Sequence, residues 1–499
     1  RRPAGSCCDL AFGGQRGPNN SLLVDGADSN NLFYGQATGR TGFRPYAFSQ
    51  DAVQEFQVNT NNFPPEVGRA SGGAINVITK SGTNQFHGSA FEFYRDKGMN
   101  ANTFINNRAG ARKSPYHFNQ FGGTLGGPVV KDKVFFFVNF DGQRNKQTQL
   151  VTPVNQPPAA LAGQFSKYLQ PYLIGLSNNV GLAKMDWNIS ERDRLSVRYN
   201  MSRYTGINQE SFGTNIAEEH SGNNEVNTDN LAVAYTRSLA ANMVFEGRFN
   251  WVQDKQPGYA NTKGPEVVIT NGVTFGANNF SPRYTNTHAY QLTSNYTYVL
   301  GRHTIKAGYD FNFVTAENYF PGYFAGGFTF ASYDDFANGK PQSFRQAFPG
   351  SGSNFPISHP DVNEYALFLQ DAWRATDRLT LNYGVRYDYF SYRQPDYNNP
   401  NAMLATAGLK TGQIATDHTN IGPRLGFAYR ATKSERVVIR GGYGIYYSRT
   451  PGLLLSTAIL NNGFASAQYL VTSNVPTYPN VLTAAPGPGT PPDIYVTDP

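Results

Sequence analysis

Charge is scarce in this chain: only 15% of its 499 residues are Asp, Glu, Lys or Arg, well below the usage of an ordinary soluble domain. Long apolar runs are missing too. The nearest candidate, residues 452–460 (GLLLSTAIL), falls far short of the ~18 residues that a membrane helix requires, so any membrane residence must be as strands. Cysteine is confined to Cys7 and Cys8, neighbours whose bridging geometry would be strained and which have no CxxC or metal spacing around them. They read as incidental. The histidines His87, His117, His220, His288, His303, His359 and His418 show no HxH or HExxH spacing, so each reads as a surface or strand residue rather than a zinc ligand. There is no GxSxG motif and no P-loop, and the glycine pairs at 122–123, 126–127 and 441–442 mark bends or bulges in strands. No catalytic residue, metal site or cofactor is expected. The net charge of +7 is modest and scattered, which excludes nucleic acid as an expected partner.

What the chain has in quantity is rings, 31 Tyr and 36 Phe, as a barrel with aromatic girdles at both membrane interfaces would. It also has alternation. In residues 243–251, Met243, Phe245, Phe249 and Trp251 share one face while Asn242, Glu246, Arg248 and Asn250 share the other. Leu379, Leu381, Tyr383, Val385 and Tyr387 stand likewise against Thr380, Asn382, Arg386 and Asp388, and Val437, Ile439, Tyr443, Ile445 and Tyr447 against Arg436 and Arg440. One face meets lipid and the other water, so Glu246, Arg248, Arg386, Asp388, Arg436 and Arg440 are expected in a polar, mutually neutralising lumen. The outward rings, among them Trp251, Tyr296, Tyr298 and Trp373, are expected as interface anchors.

From Thr83 onward the pattern yields about thirteen strands, near 85–95, 117–127, 133–144, 181–189, 194–204, 228–239, 242–254, 286–299, 303–314, 361–374, 379–391, 419–430 and 435–449. Tight turns at 131–133, 190–193, 240–241, 301–302, 375–377 and 432–434 alternate with long connections. A soluble sandwich has little reason to sustain that asymmetry, whereas outer-membrane barrels join strands by short periplasmic turns and long external loops. The long loops at 271–284 and 319–333 are rich in Asn, Gly, Phe and Tyr; they could grip sugars or peptides or pack on one another, and the sequence leaves both open. An odd strand count does not close a single-chain bacterial barrel, so the sequence is expected to be a fragment. Residues 1–82, Gly-interrupted with short β-like pieces, form the expected separate N-terminal unit, and 83–499 the barrel part.

Two stretches carry a family resemblance: GQRGPNNSLLVDGADSNN at 14–31 and AVQEFQVNTNNFPPEVGRASGGAINVITKSGTNQFHGSAFEFYRD at 52–96. They resemble the end of the plug domain and the first barrel strand of TonB-dependent outer-membrane transporters, Oar-like subgroup. Later pieces, QDAWRATDRLTLNYGVRYD, PRLGFAYR and VVIRGGYGIYYSR, are similar to barrel strands of that subgroup. The resemblance implies an all-β membrane protein: an antiparallel transmembrane β-barrel of roughly 22 strands when complete, plugged by a small mixed α/β domain, in the bacterial outer membrane. It places Asp25 and Gly26 in a plug turn, Arg69 and Lys80 where the plug faces charged groups of the wall, and Gly72 and Gly73 where its backbone turns tightly, with Asn76 in the family's order. The energy-coupling box and about nine strands of the family pattern are not among these residues. Implied partners are outer-membrane lipid, the TonB–ExbB–ExbD complex, and an external ligand that the fold leaves undefined, since siderophores, cobalamin, glycans and peptides are all handled within it. The alternatives are an outer-membrane adhesin that keeps the barrel without transport, and a secreted β-rich carbohydrate binder.

Overall fold

The computed structural model describes residues 10–15, 17–35, 48–102, 104–108, 110, 112–350, 356–432, 437–487 and 489–494; Cys7, Cys8 and the expected lumen residue Arg436 lie outside them. In chain order the strands are β1 (Ser21–Val24), β2 (Ala27–Asp28), β3 (Val53–Asn59), β4 (Ala74–Thr79), β5 (His87–Asp96), β6 (Tyr116–Val130), β7 (Val134–Gln149) and β8 (Tyr172–Asn188). There follow β9 (Asp193–Ile207), β10 (Gly222–Ala240), β11 (Met243–Lys255), β12 (Gly258–Ala260), β13 (Glu266–Ile269), β14 (Thr274–Gly276), β15 (Tyr284–Leu300) and β16 (His303–Tyr319). The last are β17 (Gly327–Phe330), β18 (Ser343–Pro349), β19 (Ile357–Ser358), β20 (Val362–Arg374), β21 (Leu379–Tyr392), β22 (Ile421–Arg430), β23 (Val438–Gly444) and β24 (Ser466–Val471).

Three sheets result. The wall is an antiparallel meander of thirteen strands in strict chain order, β5 to β11, β15, β16 and β20 to β23. This is the number and order that the alternation pattern gives. Its strands reach 19 residues in β10, longer than the ~9–11 that cross the hydrocarbon, so their outer ends stand clear of the membrane. Among the described residues β5 and β23 each have a neighbour on one side only. The tight turns among the described residues lie at one end, and the one expected at 432–434 falls largely outside them; residues 301–302 open on Gly301 with φ 57°. Among the described residues no helix is long and apolar enough to cross a membrane.

Burial is inverted relative to a water-soluble domain. Leu367 (56% exposed), Leu425 (55%) and Ile439 (52%) point outward, while Arg386 (0%), Asn312 (1%) and Glu364 (2%) point inward. Only lipid makes that arrangement favourable, because apolar surface then stays out of water and the wall's backbone groups pair with one another. Against the inner face sits the N-terminal unit, a mixed sheet ordered β2-β1-β4-β3 with β1 and β4 parallel. Its helical content is two short 3-10 turns, Gly17–Asn19 and Gln50–Ala52.

The third sheet is a cap that the sequence pattern did not foreshadow. Strands β14-β13-β17-β18-β24 arise from three different long connections at the outer end of the wall and share one dry core. Phe165, Phe275, Phe328, Phe330 and Phe344 are each 0% exposed, and the Phe275 ring stacks on Tyr168 at 4.0 Å between centroids. The aromatic loops therefore pack on one another. Because the core draws on five chain segments, removing one ring loosens all of them: Phe275→Ala should cost ~3–5 kcal/mol. Hydrogen exchange should then show protection lost in β13, β17 and β18 but kept in β10 and β11; unchanged cap protection would refute this packing.

Beneath the cap, buried His220 places Nε2 3.5 Å from Oε1 of Glu266. Burial lowers the His220 pKa to about 4, under the ~6.5 of an unfolded chain. A group depressed in this way contributes stability that is complete above the unfolded value and lost as pH falls toward the folded one. Glu266 is shifted upward by burial, an effect of opposite sign, so a variant comparison isolates the histidine. Between pH 6.5 and 4, wild-type cap protection should fall more than that of His220→Gln, and parallel curves would exclude the effect.

Candidate functional site

Polar groups are forced together at the contact between the N-terminal unit and the wall, and this contact is the candidate site. It begins at a two-residue turn. Asp25 (φ 51°) and Gly26 (φ 77°) take the left-handed backbone that a tight hairpin needs and that Asp-Gly supplies with little strain. The side chain of Asn76, on the neighbouring β4, accepts the Gly26 amide at 3.0 Å. Asp25 turns its carboxylate back to accept from the amide and hydroxyl of Thr79 at 2.9 and 2.7 Å. From the wall, Arg198 Nε reaches Asp25 at 3.4 Å and Lys184 Nζ at 3.9 Å.

Two residues on, Asp28 enters a charge network. Its backbone amide donates to Gln291 at 2.9 Å and its carbonyl accepts from Asn250 at 2.9 Å, while its carboxylate meets Arg69 at 3.2 Å and Arg449 at 2.8 Å. Burial alone would raise the Asp28 pKa, but Arg449 and Arg69 outweigh it and hold the carboxyl well below the usual range. Arg69 pairs further with Glu364 at 2.9 Å and with Asp310. Its own backbone sits at φ 58°, a conformation that costs a non-glycine residue on the order of 1 kcal/mol. Three carboxylates around one guanidinium hold it there. Arg386 joins Asp310 at 3.5 Å to Asp388 at 2.8 Å. Counting Arg424, the buried set is Asp28, Asp310, Glu364 and Asp388 against Arg69, Arg386, Arg424 and Arg449, and the charges cancel, as burial demands.

A second attachment grips residues 63–68. Arg424 Nη1 donates to the carbonyls of Phe63, Pro64 and Val67 at 3.1, 2.6 and 2.7 Å, with its guanidinium carbon 5.2 Å from the Phe63 ring centroid and 4.4 Å from that of Tyr446. Arg386 donates to the Pro65 carbonyl at 3.2 Å. Gly68 lies directly under that guanidinium: a Cβ there would come within 2.2 Å of Arg386 Cζ. A third contact runs from Glu66 to Lys306, then to Glu246 at 3.9 Å and on to Arg248 at 3.5 Å. A cavity of about 250 Å³ separates the unit from β11, β15 and β16 here, room for several waters.

The structure thus brings together Asp25, Gly26, Arg69, Asn76, Glu246, Arg248, Arg386 and Asp388. Arg440 lies on the inward-facing register of β23 but is exposed, with no ion pair among the described residues. One expectation needs correction. Lys80 makes no ion pair with a described residue; the cation at that place is Lys184 of the wall, whose Nζ donates to Thr79 Oγ1 at 3.2 Å. Strand direction explains it, since Thr79 and Lys80 point to opposite sides. Gly72 stands in a bend just ahead of β4, and both glycines allow close approach, with a Cβ 2.3 Å from Asn20 Oδ1 in the first case and 2.4 Å from the Phe12 ring in the second. Residues not singled out beforehand include Asp28, Gln291, Glu364, Arg424 and Arg449. For Gln291 and Arg424, and less distinctly Glu364, period-2 placement on inward faces was the available signal; Asp28 lies in the N-terminal unit and Arg449 beyond β23, where that period gives none.

If residues 63–69 are held as described, Gly68→Ala should displace Arg386 and loosen the seal. In the full-length protein we expect raised single-channel conductance in planar bilayers, and a similar rise for Arg424→Ala. Conductance at wild-type level in both would contradict the geometry.

Residues 78–175 and 174–498 match the family model described as outer membrane beta barrel domain. A curated relative, the TonB-dependent transporter Oar of Myxococcus xanthus, is 23% identical over 92% of this chain and 49% of its own length, so the chain spans about half of that relative. Among solved structures, the outer-membrane transporter YddB of Escherichia coli superposes with a TM-score of 0.59 at 15% identity, covering 89% of this chain and 55% of that one. A mutant of the ferric enterobactin receptor PfeA of Pseudomonas aeruginosa gives 0.57 at 16%, covering 91% and 58%. The siderophore receptor PirA of Acinetobacter baumannii gives 0.55 at 14%, covering 88% and 55%. Those likenesses establish the fold. With the inverted wall and the polar seal in its bore, the chain belongs to the outer-membrane β-barrel family, as a homologue of the TonB-dependent transporter Oar.

Proposed function

We propose that the protein is an outer-membrane receptor that binds an external ligand and passes it to the periplasm by rearrangement of residues 1–82, which act as a plug. The observation that carries this reading is the kind of contact between plug and wall. It consists of ion pairs, amide bridges and carbonyl bonds around a hydrated gap, with little apolar packing, so water can replace each bond as the plug shifts. A net hydrogen bond is worth only ~0.5–1.5 kcal/mol, which makes stepwise exchange feasible under a modest pull. By resemblance, TonB–ExbB–ExbD supplies that pull, and the cargo is a small ligand of the siderophore, glycan or peptide kind. No step requires covalent chemistry. Among the described residues no group of three His, Cys, Asp or Glu side chains is placed to hold a metal ion.

One observation favours a second reading. A folded cap with its own dry core could serve an adhesin, gripping partners without transport. Uptake that collapses when the proton gradient is discharged separates the two, because adhesion needs no energy. For the plug itself, deleting residues 1–82 from the full-length protein should turn a nearly silent bilayer into one with large, steady current. Equal conductance with and without them would remove the stopper role.

A further inference from the structure

At the outer mouth, above the plug, a cavity of about 690 Å³ opens between the end of β21, residues 414–420 and the helix Gly452–Leu460. That volume falls within the ~300–1,000 Å³ of small-ligand sites. Its lining joins aromatic and aliphatic surface, as in Tyr392, Tyr447 and Leu454, to hydroxyl and amide groups such as Thr450 and Asn420. It carries one carboxylate, Asp417, and neither Lys nor Arg among the described residues. The Thr419 hydroxyl and amide donate to Asp417 Oδ1 at 2.6 and 2.7 Å; these bonds hold its carboxyl below the usual range, hence ionised.

An anion entering this cavity would lose its hydration and meet only a like charge. A cation would meet a fixed counter-charge, apolar groups would find rings, and amides would find hydroxyl partners. We infer that the cavity binds a short peptide bearing an ammonium group, with Asp417 as the counter-charge. The inference rests on the receptor reading above and names its ligand class.

The same helix touches the plug. Its first free amides, those of Gly452 and Leu453, donate to the carbonyls of Leu32 and Phe33 at 3.3 and 2.8 Å, satisfying groups that a helix start leaves unpaired. Ser456, one turn on, bonds Asn318 at 2.9 Å and Ser358 at 2.6 Å on the wall. A ligand pressed on Leu454 therefore bears on the element that fixes the outermost plug turn, residues 31–35.

The test uses calorimetry on the full-length receptor in detergent with three probes: Ala-Leu-Tyr amide, its N-acetylated form, and citrate. The free-amine peptide should bind at least about ten-fold tighter than the acetylated one, Asp417→Asn should bring the two within about two-fold, and citrate should not bind. Ala458→Trp, which fills the cavity, should abolish binding of both peptides. Citrate binding as well as the peptide, a preference for the ammonium form that survives Asp417→Asn, or no peptide binding at all would overturn the inference. Binding without gradient-dependent uptake would sink the import reading alone, and uptake of another cargo without peptide binding would sink this one alone.

Discussion

Hydrocarbon offers no hydrogen-bond partner, and that single constraint shapes both faces of the wall. Strands must pair side by side along their length, and because successive side chains alternate, committing Leu367, Leu425 and Ile439 to lipid commits Glu364, Arg386 and Arg424 to the bore. The wall then offers the plug little apolar surface, chiefly Phe137 and Leu182 against Ala52 and Tyr446 against Phe63, and polar groups hold most of the contact. Burying charge is costly unless it is paired and fully bonded, which is why the eight ionic groups around Asp28 and Arg69 balance and why the Gln291 side-chain amide also donates to Asp310. A plug held by an oily interface would expose apolar area on release, at ~25 cal/mol per Å². One held by exchangeable polar bonds can leave and return.

Outside the membrane the opposite rule applies within the same chain. The cap lies in water and buries Phe275, Phe328, Phe330 and Phe344 completely, as a soluble domain would. Its parallel pair, β13 on β17, joins segments more than fifty residues apart, so the cap can fold only once the wall has brought its loops together. The wall comes first for a physical reason: every second pair of neighbours is joined by a short turn, and loop closure costs less for near contacts than for distant ones.

The wall was legible in sequence because one face of each strand is selected for lipid and the other for water, a period of two that survives without an alignment. Where that selection weakens, the reading shortened. The first half of β8, Tyr172 to Leu176, is apolar on successive residues because Tyr172 and Ile174 turn into the cap core, and there the alternation disappears. The cap itself was invisible, since its strands are three to seven residues long and their rings serve a core assembled from distant segments. The charge network was half legible. Arg69 and Arg386 carried signals from motif or period, but Asp28, Glu364 and Arg449 each look like one more polar residue until the plug's position identifies their partners. Lys80 misled because a cation beside a motif says nothing about which side its strand shows.

The two attachments of the plug are adjacent in the chain, and that adjacency decides how it can be released. Gly68 lies under the Arg386 guanidinium and the residues before it are gripped by Arg424, while Arg69 is held by Asp28, Asp310 and Glu364. Arg386 also shares Asp310 with Arg69. A shift of residues 63–69 large enough to free their carbonyls from Arg424 must carry Arg69 out of its three carboxylates, leaving Asp310 to Arg386 and Glu364 to Arg449. Neighbours that share partners do not contribute additively, so the grip on the loop and the grip on the hairpin open as one event. On the proposed receptor reading, a pull on the plug would therefore have to break the Arg424 grip and the Arg69 network together, because the two act on neighbouring residues.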